Sequence, residues 1–298
     1  MSAIKEPNFF LFGSHGEPSI AEAPIIRKSV RKAGDYGALF RPTPGDRAVG
    51  EASPLYLSTQ EAALRIAATC GLIPIICLLR HPADRAWSHY LHAVPTDNHD
   101  EATEKFARLV RAEMARGPDE ERYRSEPYQT RTHLIRLGLY GDQIEWYHQV
   151  MGRERVHALL TEDLVTDSSN SLERITQWIG VDHFDELPFE QVNESGRSPR
   201  GVAGIIYRAA RVAQPTVKSL LPPRVAGSLA RRRLRMTGRV VQSMPPLDPS
   251  LRCEITRWCA GDVAKLEQLI DRDLSAWIAP RRSSPRRAAD HRRQSPVA

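Results

Sequence analysis

A basic side chain, a proline and two polar side chains mark the junction between a predicted strand and a predicted helix. The run Leu72–Leu79 is almost entirely apolar and predicts a short buried strand, which Arg80 follows directly. Pro82 suits the first position of a helix, where its missing N–H has no partner to lose, and Asp84 falls in the first turn. A helix N-terminus presents backbone N–H groups to anions, Arg80 adds a planar charged donor group, and Ser88 adds a hydroxyl. The segment therefore predicts a phosphate site.

Other segments with chemically distinctive residues lie on both sides of this junction. A lysine and a glutamate stand just before a pair of phenylalanines near the start of the chain. The further segments are Gly50–Leu57 (GEASPLYL), Tyr140–Tyr147 (YGDQIEWY), Val156–Leu164 (VHALLTEDL), Ser171–Val181 and Asn193–Arg197 (NESGR).

In order and spacing, these segments resemble the bacterial and carbohydrate sulfotransferases that use 3′-phosphoadenosine 5′-phosphosulfate (PAPS), from residue 1 to about residue 278. The pattern R-x-P-x-x-R-x-x-S-x-Y, from Arg80 to Tyr90, resembles the segment of that family that holds the 3′-phosphate of the donor. The resemblance implies an α/β fold: a P-loop-NTPase-like parallel sheet flanked by helices in three layers. It also implies a single domain over residues 1–279, followed by a tail over residues 280–298.

The resemblance also implies roles for individual residues. Lys5-Glu6-Pro7-Asn8-Phe9-Phe10 resembles the KEP-x-FF element, so Glu6 is expected to be the catalytic base and Lys5 to place charge beside the bridging oxygen. Arg80 and Ser88 are expected to bind the donor, and Ser195, Gly196 and Arg197 to form a second phosphate clamp. PAPS is the implied co-substrate, and no metal is implied. His15, His89 and His92 are alternative bases, and a solvated Glu6 without a role remains a further alternative.

One family element has no counterpart in this sequence. The Gly-rich K-x-G-T-T-type loop should lie roughly twenty residues before the KEP element, where only Met1–Ile4 are present. Such a loop cradles phosphates with successive backbone N–H groups, and its lysine adds charge. Gly13-Ser14-His15-Gly16 does not replace it, because no predicted strand precedes it and no predicted helix follows. Either the true start lies upstream or the first βα unit is lost and the product is impaired.

Three functions follow from these patterns. The first is transfer of a sulfuryl group from PAPS to a hydroxyl or amine of a carbohydrate, lipid or small metabolite. The second is an impaired relative that only binds the 3′-phosphoadenosine nucleotide. The third is a basic protein that binds membranes or nucleic acid without catalysis, but the sequence shows no nucleic-acid-binding fold. The insertion at residues 98–127 and the basic residues late in the chain are expected to shape the acceptor site.

Basic residues are concentrated late in the chain. No Asp or Glu occurs between Ser195 and Leu247, and the eleven basic residues there lie between Arg197 and Arg239. Apolar residues within this block allow basic amphipathic helices, which can lie on anionic membrane surfaces or border an acidic acceptor. The alternative is a solvated face. The segment Pro280–Ala298 has six arginines and little apolar content, which predicts a disordered tail.

Composition indicates an ordinary globular protein. Hydrophobic residues make up 41% of the chain, and no apolar run reaches the 18 or so residues that a membrane span requires. The four cysteines show no metal-binding spacing, and Cys70 and Cys77 are expected to be buried thiols. The expected compartment is the cytoplasm.

Helices are predicted over residues 21–34, 59–70, 82 onward, 98–114, 128–150, 171–179 and 251–278. Strand-like segments are predicted over residues 48–57, 73–79 and 156–160.

Overall fold

The computed structural model describes residues 2–12, 29–93, 99–117, 133–182 and 246–279. The strands in these ranges are β1 (Ile75–Leu79) and β2 (Val156–Leu160). The longer helices are α2 (Gln60–Cys70), α3 (Pro82–Ala93), α4 (His99–Ala115), α5 (Tyr140–Met151), α7 (Ser168–Ile179), α8 (Pro249–Trp258) and α9 (Ala260–Ile270). The short ones are α1 (Ala33–Gly37), α6 (Thr161–Thr166) and α10 (Ser275–Ile278), with 3₁₀ turns at Phe9–Leu11, Pro54–Ser58, Arg136–Gly138 and Arg153–Arg155. None of the described helices is long and apolar enough to cross a membrane.

The two strands pair in parallel, with Ile75 opposite Val156 and Leu79 opposite Leu160. Thr161, directly after β2, donates its hydroxyl to the carbonyl of Leu79 at 2.8 Å and so joins the carboxyl ends of both strands. Helices α3, α4 and α5 lie between the strands in sequence. A parallel pair joined through helices agrees with the predicted α/β class.

The predicted first strand is present, but the prediction that it is buried is confirmed only for alternate residues in the described ranges. Cys77 and Leu79 are buried, whereas Ile76 and Leu78 are 46% and 54% exposed. Alternate strand residues point to opposite faces, so the described part of the chain covers only one face of β1. The neighbouring strand is better covered: Leu159 is buried and His157 packs against Trp178 of α7.

Helix ends follow the capping residues that the sequence supplies. Thr59 accepts the N–H of Ala62 at 3.0 Å at the start of α2, so the predicted helix over residues 59–70 is confirmed. Asp167 accepts the N–H of Asn170 at the start of α7, and Gly180 ends that helix in the left-handed conformation.

The predicted helix over residues 251–278 is instead three helices. Cys259, with φ −82° and ψ −4°, separates α8 from α9, and Asp271 adopts a positive φ of 52° that ends α9. The apolar stripe continues across both breaks because the three helices line the same core, with Ile255, Leu266 and Trp277 all buried. Periodicity alone could not detect the breaks.

Other expectations need correction. Residues 48–53 form no strand, and Pro54–Ser58 is a 3₁₀ turn, since Pro54 has no N–H to donate to a sheet. The helix predicted from residue 128 begins only at Tyr140 in the described range. Cys70 is exposed rather than buried, whereas Cys77 is buried as expected, and burial raises the pKa of its thiol to about 12.

The start of α5 is capped by a carboxylate from a distant helix. Asp262 of α9 accepts the N–H of Gly141 at 3.0 Å and that of Asp142 at 3.3 Å. A Cβ at position 141 would lie 2.8 Å from the backbone and side-chain oxygens of Asp262, so only glycine permits this approach. Burial raises the pKa of Asp262 to about 6, and the two backbone donors offset this only in part.

Asp262 should therefore make stability depend on pH. Between pH 3.8, the ordinary pKa of an aspartate, and about pH 6, the folded protein keeps a proton that the unfolded chain releases. The contribution of Asp262 to the free energy of unfolding therefore falls as the pH rises to about 6 and is constant above that pH. Replacing Asp262 with Asn should remove about 2 kcal/mol of this pH dependence. Urea unfolding of the parent and of Asp262→Asn at pH 4.5 and pH 7.5 measures this pH dependence. If the two proteins differ in free energy of unfolding by the same amount at both pH values, the raised pKa of Asp262 is contradicted.

Candidate functional site

Arg80 lies at the carboxyl end of β1 with an exposed side chain. Ligands of parallel α/β sheets bind beyond the carboxyl ends of the strands. The buried phenol of Tyr140, the first residue of α5, forms a hydrogen bond with the backbone of Arg80. Burial raises the pKa of Tyr140, while the bond to Arg80 and the charges of Arg85 and Arg80 act in the opposite direction. The start of α5 thus lies beside the backbone from which the Arg80 side chain extends.

The N-terminus of α3 differs from the expected open anion site. The N–H of Ala83 donates to Nδ1 of His81 at 3.2 Å, so this donor already has a partner. Because Nδ1 accepts, Nε2 carries the proton, and it donates to the carbonyl of Trp277 at 2.9 Å. His81 is 1% exposed. An anion here would depend more on the Arg80 side chain than on the helix N-terminus.

The C-terminal helices hold α3 in place. Arg252 of α8 forms two parallel hydrogen bonds with the carboxylate of Asp84, at 3.0 and 3.1 Å. Thr256 of α8 lies 3.3 Å from Nε2 of His81. Ser88 of α3 is partly exposed. Since α8 begins more than 150 residues after α3, the geometry around Arg80 and Ser88 depends on the tertiary packing.

A buried carboxylate organises the turn that precedes α5. Glu113 of α4 is 1% exposed and accepts the backbone N–H groups of three consecutive residues, Leu134, Ile135 and Arg136, at 2.8 to 3.2 Å. Burial raises the pKa of Glu113, and the three N–H donors counteract this. The turn also contacts α3, because a guanidinium nitrogen of Arg85 donates to the carbonyl of Leu134 at 2.6 Å.

The second predicted part of the site is the N-terminal element around Glu6. Lys5 and Glu6 form an ion pair at 3.7 Å, and their side chains are 78% and 44% exposed. Glu6 and Asn8 both have positive φ values, 55° and 51°, which non-glycine residues adopt only at a cost. The side-chain amide of Asn8 donates to the carbonyl of Glu6 at 3.0 Å. This local bond helps to hold the strained backbone.

The element packs on the residues that follow it. Phe9 stacks on Tyr36 of α1 with ring centres 4.3 Å apart, and Phe10 packs edge-on against Tyr56. Arg65 of α2 donates to the carbonyls of Phe10 and Leu11 at 2.8 and 2.9 Å. The structure therefore brings the KEPNFF and GEASPLYL segments together.

The two parts of the predicted site are joined only indirectly in the described ranges. No hydrogen bond or ion pair there links Glu6 to Arg80; the Phe9–Leu11 turn contacts α2, which packs on α5, and α5 contacts β2. Ser195, Gly196, Arg197 and His15 lie outside the described residues. His89 is partly exposed and His92 exposed on α3. The described ranges hold no group of three His, Cys, Asp or Glu side chains arranged for a metal ion.

Sequence reasoning missed several residues that build the site. A histidine before a proline gives no strong signal of a helix cap, so the sequence does not reveal the role of His81. Glu113 lies on an ordinary amphipathic helix, and its partners are more than twenty residues away. Asp262 stands within a periodic helical stretch, and its partners Gly141 and Asp142 lie 121 and 120 residues earlier in the sequence.

The fold is similar to that of a solved sulfotransferase. The crystal structure of a sulfotransferase from Alicyclobacillus acidocaldarius matches with a TM-score of 0.60 and 28% sequence identity, over 93% of this chain and 87% of that chain. No protein-family model and no curated protein matches the chain. The chain therefore has a sulfotransferase fold, and the resemblance inferred from its motifs is supported at that level.

Removing the Glu113 carboxylate should loosen the turn beside α3. Glu113→Ala leaves three backbone N–H groups without their acceptor, so we expect a loss of about 3 kcal/mol in the free energy of unfolding. Glu113→Gln keeps one acceptor oxygen, so its free energy of unfolding should lie between those of the parent and Glu113→Ala. Glu104→Ala, at an exposed position of the same helix, is the matched control. Chemical denaturation measures all three, and equal stability of Glu113→Ala and the control would show that the carboxylate is not the anchor.

Proposed function

We propose that the protein transfers a sulfuryl group from PAPS to a hydroxyl or amine of a carbohydrate, lipid or small-metabolite acceptor. The observation that carries the proposal is the exposed guanidinium of Arg80 at the carboxyl end of β1, in a chain with a sulfotransferase fold. A sulfotransferase binds a donor that is rich in phosphate oxygens, and a guanidinium matches such oxygens with paired N–H donors.

The residues around Arg80 fit one part of that donor. Arg80 and the hydroxyl of Ser88 would hold the 3′-phosphate, with the Arg80 backbone fixed by Tyr140. Because His81 takes the N–H of Ala83, the side chains would supply more of the binding than the helix N-terminus does. Ser195, Gly196 and Arg197 remain the proposed second clamp.

Glu6 is the proposed base. Its carboxylate would accept the proton of the acceptor hydroxyl or amine as that atom bonds to sulfur, while the bond from sulfur to the 5′-phosphate oxygen breaks and 3′-phosphoadenosine 5′-phosphate leaves. The partial exposure of Glu6 leaves it reachable by an acceptor, and the ion pair places Lys5 beside it. Such transfer depends mainly on positioning and electrostatic stabilisation.

Arg80→Ala should weaken binding of 3′-phosphoadenosine 5′-phosphate. Loss of a charge-assisted, paired contact should cost about 2–3 kcal/mol, which corresponds to a roughly 30- to 150-fold rise in the dissociation constant. Isothermal titration calorimetry on the full chain measures the constant. Arg116→Ala, an exposed arginine at the end of α4, is the control and should bind as the parent does. Equal affinity of Arg80→Ala and the parent would remove the basis of the proposal.

Glu6→Gln should abolish most transfer without weakening donor binding. The amide is nearly the same size as the carboxylate but cannot accept the acceptor's proton, so turnover should fall by about 100-fold or more. Transfer of ³⁵S from labelled PAPS to a panel of sugars, lipids and phenols measures turnover. Binding of the adenosine bisphosphate without transfer by the parent would favour the alternative that the protein only binds the nucleotide. Unchanged turnover in Glu6→Gln would exclude Glu6 as the base.

A further inference from the structure

The GEASPLYL segment supplies the carboxylate of Glu51 close to the N-terminal segment Lys5–Phe10, called here the Glu6 element. Glu51 accepts three hydroxyl hydrogen bonds: Oε2 from Ser53 at 2.8 Å, and Oε1 from Tyr56 at 2.7 Å and Tyr36 at 3.3 Å. A carboxylate only accepts, and a hydroxyl can donate and accept at the same time. Glu51 therefore fixes which way each of these hydroxyl groups points.

Two of the three hydroxyl groups also accept a hydrogen bond from a backbone N–H of the Glu6 element. Ser53 Oγ accepts the backbone N–H of Asn8 at 3.1 Å, and the Tyr56 oxygen accepts the backbone N–H of Phe10 at 3.2 Å. The side chains of Ser53 and Tyr56 and the residues Asn8 and Phe10 are all at most 9% exposed. Water therefore does not readily replace these bonds, and each hydroxyl relays the position of Glu51 to one backbone amide.

The protonation of the two phenols suits this arrangement. Burial first, and then the nearby Glu51 charge, raise the pKa of Tyr36. Burial also raises the pKa of Tyr56 well above its ordinary value, although the bond from the Phe10 N–H acts in the opposite direction. Both phenols therefore keep their protons at neutral pH and remain donors to Glu51.

The backbone that these bonds hold is one that would otherwise relax. Asn8, which donates its backbone N–H to Ser53, has a positive φ, as does Glu6 two residues earlier. A strained backbone persists only where its surroundings over-determine it. Arg65 fixes the carbonyls at the far end of the same turn. The relay from Glu51 supplies the corresponding restraint at the end next to Glu6.

We propose that Glu51 is the positioning residue for Glu6: through Ser53 and Tyr56 it holds the Asn8 and Phe10 amides and thereby sets the direction of the Glu6 carboxylate. Its effect on turnover rests on the proposed function, whereas its effect on the backbone does not. Glu51 itself takes no part in the transfer, so its loss should lower kcat while donor affinity is kept.

The test uses Glu51→Gln and Ser53→Ala in the full chain, because both variants remove part of the relay with little change in volume. Hydrogen exchange of the peptide covering residues 2–12 should become faster in both. The kcat for transfer should fall by about tenfold or more, because Ser53→Ala removes the acceptor of the Asn8 amide and Glu51→Gln weakens the acceptor that orients Ser53 and Tyr56. The dissociation constant of 3′-phosphoadenosine 5′-phosphate should change by less than about twofold.

Tyr147→Phe is the matched control. It removes a buried hydrogen bond of similar kind, 2.8 Å long, from the Tyr147 hydroxyl to the carbonyl of Tyr56, and this bond does not involve the Glu6 element. The control should lose comparable stability and keep its kcat and its exchange over residues 2–12. Unchanged exchange in Glu51→Gln would overturn the proposal, as would equal loss of kcat in Tyr147→Phe. A parent without transfer activity would count against the proposed function alone, and the exchange data would still decide the role of Glu51.

Discussion

Carboxylates that accept backbone or hydroxyl donors hold the irregular parts of this structure in place. Glu113 accepts three consecutive backbone N–H groups, Asp262 caps the start of α5, and Glu51 collects three hydroxyl groups. Burying a charge is costly unless hydrogen bonds compensate for the lost hydration. Each of these carboxylates has at least two donors, and Glu113 and Asp262 accept backbone N–H groups from residues far away in the sequence.

The three carboxylates connect the candidate site to distant parts of the chain. Asp262 fixes the first turn of α5, and Tyr140 in that turn contacts the backbone of Arg80. Glu113 fixes the turn just before α5, which Arg85 of α3 also contacts. Glu113 of α4 and Asp262 of α9 thus hold the turn before α5 and the start of α5, which lie beside Arg80, and the helix that follows Arg80 is held by α8 through Arg252.

The start of α3 shows how a fold and a site can compete for the same atoms. A strand followed by a helix with proline in its first turn predicts free N–H groups for an anion. His81 instead takes one of these donors and passes its own Nε2 proton to the carbonyl of Trp277. These two bonds stabilise the junction, and they occupy one N–H group that an anion could otherwise use.

Local sequence determined both strands of the described pair, most of the longer helices and the segments that make up the candidate site. Apolar runs, Thr59, Pro82 and Gly180 act within a few residues, so their effects can be read directly. The tertiary structure alone decided where the long C-terminal pattern breaks, that Pro54–Ser58 is a turn, and which carboxylates hold the site residues. Those outcomes depend on partners far apart in sequence, such as Glu51 with Tyr36 or Asp262 with Gly141, and no local periodicity encodes a contact of that kind.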